Sequence, residues 1–250
     1  MDQRPMSSAT DSPAAAVAKP SVAFVVAHPD DVAFSQGGTA SLLSERYAIH
    51  VLCATRGDRG YSWKGEGRTP PSPETAATRS AEEAAACALL GAELTFLGQT
   101  DGDIYADQPT CERLAGLIDT IRPVAVFTLG PLEKPDHALV SVMATKALHL
   151  ADRFWTTELY MTLRDVETYN AHYADVFVNI TRVIEQKRAL VRCHKTQAPD
   201  EAAAERVLDR NRRLGHLCRC DYAEAYMSGL PLVASRWGRK AGCILMDLGA

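Results

Sequence analysis

The chain has 250 residues, enough for one large domain with a substantial core. Its composition, 46% hydrophobic and 23% charged, is that of an ordinary soluble globular protein. A formal net charge of -4 with no basic stripe argues against a nucleic-acid binder, and no apolar run approaches the ~18 residues that span a bilayer.

Residues 1–20 are rich in Ser, Ala and Pro, carry Asp11, and lack a hydrophobic block. They are expected to be a disordered tail rather than a secretory signal, with residues 21–250 forming a single domain. Val22 to Ala27 is apolar and β-branched or small, the pattern of a buried parallel strand. It runs into His28-Pro29-Asp30-Asp31, and Gly37-Gly38 then opens a helix expected over about Gln36 to Arg46. A second strand is predicted over AIHVLCAT, followed by a Gly- and Pro-rich segment, Arg56 to Pro73, too long for a simple connector. Ser72-Pro73-Glu74 reads as a helix start, and Gly91 as its stop.

Strand ELTFL, helix PTCERLAGLIDTI, strand PVAVFTL and helix ALVSVMATKALHL follow in alternation. ELYMTL and DVFVNI look like further strands, and Thr181 to His194 and Ala202 to Leu217 like helices; one more strand in the last twenty residues has no clear position. The alternation predicts an α/β fold with a mostly parallel sheet. Seven cysteines, with only Cys218-x-Cys220 close-spaced, fit reduced thiols and a cytoplasmic protein.

In such sheets ligands bind beyond the carboxyl ends of the strands. His28 and Asp31, three residues apart at one strand end, suit a catalytic metal with three protein ligands and an open position. His137, just past PVAVFTL, is the best third ligand, and Asp30, beside the ligands, is a natural general base. An Asp-rich turn after a strand is, alternatively, a plain helix cap.

AHPDDVAFSQGG resembles the amino-terminal motif of the LmbE-like, or PIG-L, family of zinc-dependent de-N-acetylases. Thr55 to Gly60 (TRGDRG), Arg79 to Glu83, Phe96-Leu97-Gly98 with Asp101, and Pro135-Asp136-His137 are similar to further family elements, in the right order. So are Glu185-Gln186-Lys187 through Gln197 and Ala223-Glu224-Ala225-Tyr226. The resemblance, covering about residues 21–230, implies a Rossmann-like fold with helices on both sheet faces. It implies one Zn2+ held by His28, Asp31 and His137, with Asp30 as base, and an N-acetylated amino sugar or sugar conjugate as substrate. Arg79 and Asp101 fall where relatives contact sugar hydroxyls, although Arg79 can equally pair with Glu82 or Glu83 at helical spacing.

Two positions depart from the family: Val32 stands where many relatives carry Glu, and Lys134 where the second motif commonly starts with His. An ammonium at Lys134 can still stabilise an oxyanion, leaving Asp30 to carry the proton in both directions. The expected reaction is thus zinc-assisted N-deacetylation. The rivals are an amidase on a thiol-sugar or other amide conjugate, a degenerate sugar-binding relative, and a nucleotide-binding module, the last opposed by the lack of a glycine fingerprint. Tyr61 and Trp63 suggest a sugar-stacking lid. No nucleic-acid or membrane partner is implied, and a homo-oligomer is left open.

Overall fold

The computed structural model describes residues 18–60, 70–162 and 174–229, with Ile244, Leu245 and Leu248. Most of the amino-terminal tail, the proposed lid residues Tyr61 and Trp63, and most of the last twenty residues lie outside the described residues.

The hydrophobic run of β1 (Ser21–Val26) is buried because it lies inside the sheet, paired in parallel with β2 (Ala48–Thr55) on one side and β4 (Ala125–Thr128) on the other. β3 (Glu93–Gln99) extends the sheet beyond β2, and β5 (Glu158–Thr162) pairs in parallel with β4. Beyond β5 the sheet turns antiparallel: β7 (Ala223–Ser228) pairs with both β5 and β6 (Val176–Asn179), giving the order β3-β2-β1-β4-β5-β7-β6. This is the predicted mostly parallel α/β architecture.

The helices are α1 (Gly37–Ser44), α2 (Pro73–Leu90), α3 (Gln108–Ile121), α4 (Pro135–Leu150), α5 (Ile184–Cys193) and α6 (Glu201–Cys218). α1 and α2 pack with α5 in one group and α3 with α4 in another. The chain steps from β1 outward to β2 and β3 and then crosses back to β4 and β5, and right-handed crossovers running in these opposite directions place their helices on opposite faces. The strand order reverses between β1 and β4, so the crevice at their carboxyl ends is the topological switch point where α/β sheets bind ligands.

Local signals account for both ends of α2. Ser72 accepts a hydrogen bond from the Thr75 N–H at the start of α2, and Gly91 ends that helix with φ +62°. The first helix differs from expectation: a π-helical turn, Val32–Gln36, precedes α1, so helical structure begins directly after Asp31. β7 was not predicted as a strand, because its Glu224 is buried where a strand residue is usually apolar. The Lys187 ammonium, 2.6 Å away, compensates that charge, and the Gly38 and Thr39 N–H groups of α1 also donate to the same carboxylate. Gly38 is needed there, since a Cβ would lie 2.6 Å from the Ile180 side chain.

Candidate active site

β1 delivers its polar end in a constrained form. The Asp31 carboxylate accepts hydrogen bonds from the Ala27 N–H (3.1 Å) and the His28 N–H (2.8 Å), so it is anchored to the backbone that bears His28. Thr55, at the end of β2, binds the Ala27 carbonyl through both its N–H and its hydroxyl. From the other side of the switch point, His137 enters in the first turn of α4, whose start is set by Pro135.

The structure therefore brings together the three residues that the sequence singled out. One ligand atom from each of His28, Asp31 and His137 lies within 4.8 Å of the others, and Asp31 and His137 are each 1% exposed. His137 Nε2 is 3.3 Å from Asp31 Oδ1, and His28 Nδ1 is 3.6 Å from Asp31 Oδ2. Each imidazole turns its other nitrogen outward to carboxylates. His137 Nδ1 lies 2.7 Å from Glu133 Oε2, while His28 Nε2 lies 3.1 Å from Asp136 Oδ2 and 3.2 Å from Asp101 Oδ1. Outer carboxylates of this kind fix the tautomer of a metal-binding histidine and raise its basicity.

The donor set fits a divalent cation. Four carboxylates, those of Asp31, Asp101, Asp136 and Glu133, surround two imidazoles, an excess of negative charge that a cation would neutralise. Without one, the imidazoles hold protons instead. Burial opposes protonation of His28, but bonds to Asp101, Asp136 and Asp31 outweigh it and hold its pKa well above the ordinary 6.5. Burial likewise opposes protonation of His137, and Asp31 with Glu133 overcomes it, pushing the pKa up to about 9. Burial would raise the pKa of Asp31, yet the two histidines hold it well below the ordinary carboxylate value.

Asp30 sits beside these residues with φ +118°. The other described non-glycine residues with positive φ, Arg122, Asp152 and Arg219, lie between 51° and 62°, in the left-handed helical region. Asp30 is in a sparser one, which costs about 1–3 kcal/mol and persists only where surrounding structure enforces it.

Arg79 is 3% exposed. Its Nη2 donates to the Pro29 carbonyl at 2.7 Å and lies 3.4 Å from Asp30 Oδ1; its Nη1 donates to the Gly57 carbonyl at 3.4 Å and lies 3.6 Å from Asp101 Oδ2. Gly57, at φ +64°, leaves the space this guanidinium fills, since a Cβ there would be 2.5 Å from Nη1. Asp101 thus faces both His28 and Arg79. Lys134 is the N-cap residue of α4, half-buried and three residues before His137.

Sequence reasoning missed Glu133, Asp136 and Glu83 as parts of the site. Glu83, one turn after Arg79 on α2, accepts the Asp30 N–H at 3.0 Å, and burial pushes its pKa up to about 8. His194 is wholly buried 3.6 Å from Glu83, with its pKa pushed down to about 3 by burial and then by the Arg79 charge. The four-residue spacings from Glu133 to His137 and from Arg79 to Glu83 were the available signals.

Fold and site together define a class: an open α/β sheet with a candidate metal centre at its switch point. A family model described as PIG-L, GlcNAc-PI de-N-acetylase, matches residues 23–148, and the chain belongs to that family. Among curated proteins, 4-oxalmesaconate hydratase of Pseudomonas putida is 29% identical over 236 residues, 85% of this chain and 90% of its own length. The 1D-myo-inositol 2-acetamido-2-deoxy-alpha-D-glucopyranoside deacetylase of a Mycobacterium species is 27% identical, covering 75% of this chain and 77% of its own. A conserved protein of Thermus thermophilus, of known structure, superposes with a TM-score of 0.71 at 27% identity, over 88% of this chain and 99% of its own. No described helix is long and apolar enough to cross a membrane.

Proposed function

We propose that the chain is a metal-dependent hydrolase that removes an N-acetyl group from an amino sugar or sugar conjugate of the N-acetylglucosamine type. His28, Asp31 and His137 would hold the ion, and two imidazoles with one carboxylate favour zinc. Zinc, when bound, supplies Lewis acidity that polarises an acetamide carbonyl and makes water acidic enough to lose a proton near neutral pH. Asp30 takes that proton on its carboxylate as the water oxygen adds to the acetyl carbon. It returns the proton to the leaving nitrogen as the C–N bond breaks, giving a free amine and acetate. The Lys134 ammonium stabilises the negative charge that develops on the carbonyl oxygen.

Asp101 is the proposed contact to a sugar hydroxyl. Arg79, expected to share that role, is 3% exposed with its Nη1 3.6 Å from Asp101 Oδ2, and in this reading it supports the Asp101 carboxylate. The observation that carries the reading is the convergence of the three donor atoms within 4.8 Å, with Asp30 adjacent.

One observation favours a second reading. The hydratase relative matches more of this chain, at slightly higher identity, than the deacetylase relative does. The same base and ion would then add water across a double bond of an unsaturated carboxylate. Acetate release from a panel of N-acetyl sugars, with and without chelator, is to be measured beside the loss of ultraviolet absorbance from conjugated carboxylates. Chelator-sensitive acetate release supports the deacetylase; absorbance loss with no acetate from any sugar overturns it.

A further inference from the structure

We infer that Arg79 and Glu83 are positioning residues that clamp the single peptide group linking Pro29 to Asp30, and thereby aim the Asp30 carboxylate. The inference rests on the reading of Asp30 as the general base. Its geometric part stands independently.

The carbonyl of Pro29 and the N–H of Asp30 are the two polar ends of one peptide plane. Arg79 Nη2 donates to that carbonyl at 2.7 Å, and Glu83 Oε2 accepts from that N–H at 3.0 Å. Residues four apart on a helix lie on one face, one turn above the other. Both side chains belong to α2 and are buried, so α2 grips the plane from one side at both ends. Fixing a peptide plane at both ends leaves it no rotation about its flanking bonds. The residue that follows is Asp30, whose φ of +118° needs enforcement from outside its own sequence.

The clamp is itself anchored. Arg79 also donates to the Gly57 carbonyl beyond β2, and Glu83 is backed by buried His194, 3.6 Å away, at the end of α5. Neither residue has to touch substrate. Their contribution is alignment of a base, and misplacing a reacting group by about 1 Å can cost about 10²-fold in rate.

The test uses full-length zinc-loaded protein with Glu83→Ala, Glu83→Gln and Arg79→Lys, with Glu83→Leu replacing the alanine variant should that fail to fold. Metal content is measured for each. Glu83→Ala is expected to keep its zinc and lower kcat by about 10²-fold, with KM within about threefold of the parent. Glu83→Gln, whose amide oxygen can still accept the Asp30 N–H, is expected to restore most of the loss. Arg79→Lys, without the planar fork, is expected to lower kcat rather than raise KM. A raised KM with unchanged kcat for either residue would make it a substrate contact and overturn the clamp. A glutamine variant as poor as alanine would do the same, since charge rather than acceptance would then matter.

Should the parent release no acetate from any sugar, the deacetylase reading fails, and the clamp is tested by hydrogen exchange at the Asp30 amide. Losing its acceptor should speed that exchange by about tenfold in Glu83→Ala but not in Glu83→Gln. Unchanged exchange in the alanine variant overturns the inference.

Discussion

Glu133→Gln tests whether an outer carboxylate sets the metal-binding nitrogen of His137. The Glu133 side chain is buried among three donors: Thr162 Oγ1 at 2.9 Å and the Gly130 N–H at 3.2 Å, both on Oε1, and His137 Nδ1 at 2.7 Å on Oε2. A carboxylate can accept from all three. A glutamine of the same shape accepts at one atom only, and the two donors converging on Oε1 claim it. Its amide NH2 then faces Nδ1, which must become an acceptor. The imidazole proton moves to Nε2, the nitrogen that lies 3.3 Å from Asp31 Oδ1 and would bind the ion.

Changes to such outer partners typically cost about 10–100-fold in metal affinity. At about 1.4 kcal/mol per tenfold, that is about 1.4–2.7 kcal/mol. The assay is a competition titration of metal-free protein with zinc against a chromophoric chelator, with Thr162→Val as a control that keeps the carboxylate. An affinity for Glu133→Gln within about threefold of the parent, well below the range for such partners, would refute the tautomer argument.

Asp30→Ala should retain its zinc and lose about 10²–10⁴-fold in deacetylation; parent-like turnover removes Asp30 as base. His137→Ala should lose most bound zinc by elemental analysis, and undiminished content takes His137 out of the site. Because His137 has a pKa of about 9 in the metal-free protein and His28 lies well above 6.5, zinc binding at pH 7 should expel protons. Calorimetry in buffers of different ionisation enthalpy measures this release, and identical heats would contradict it. In the metal-free protein, His194 and Glu83 act on stability in opposite directions. His194 is neutral when folded and titrates at 6.5 when unfolded, so its share is present above pH 6.5 and lost as pH falls toward 3. Glu83, raised from 4.5 to about 8, contributes fully below pH 4.5 and loses its share as pH rises toward 8. Denaturant unfolding should show Glu83→Gln declining less than the parent between pH 6.5 and 8, by up to about 1.4 kcal/mol per pH unit. Parallel curves would refute the shift.

Much of the fold was legible because its signals are local. Ser72 caps α2 and Gly91 ends it through atoms within a few residues, as their types foretell. The buried face of β1 shows in its unbroken apolar run, since a central parallel strand has no solvent side. The π-helical turn after Asp31 was missed because nothing local marks it. β7 was missed because Glu224 fits a strand only with Lys187 and the start of α1 around it.

The same division holds at the site. Its residue types and their nearest spacings are written in the chain: His28 and Asp31 flank the turn after a strand, Asp30 lies between them, and His137 begins a helix. Short-range geometry follows from sequence because a few bonds connect the groups. The rest depends on the ends of β1 and β4 meeting where the strand order reverses, which is a property of the sheet. Only tertiary structure shows that Glu133, Asp101 and Asp136 address the outer nitrogens of the two histidines. Likewise, only it shows Arg79 turned from solvent to grip, with Glu83, the peptide before Asp30. Those partners act across several ångströms of space but many residues of chain, and side-chain chemistry has no means of encoding that distance locally.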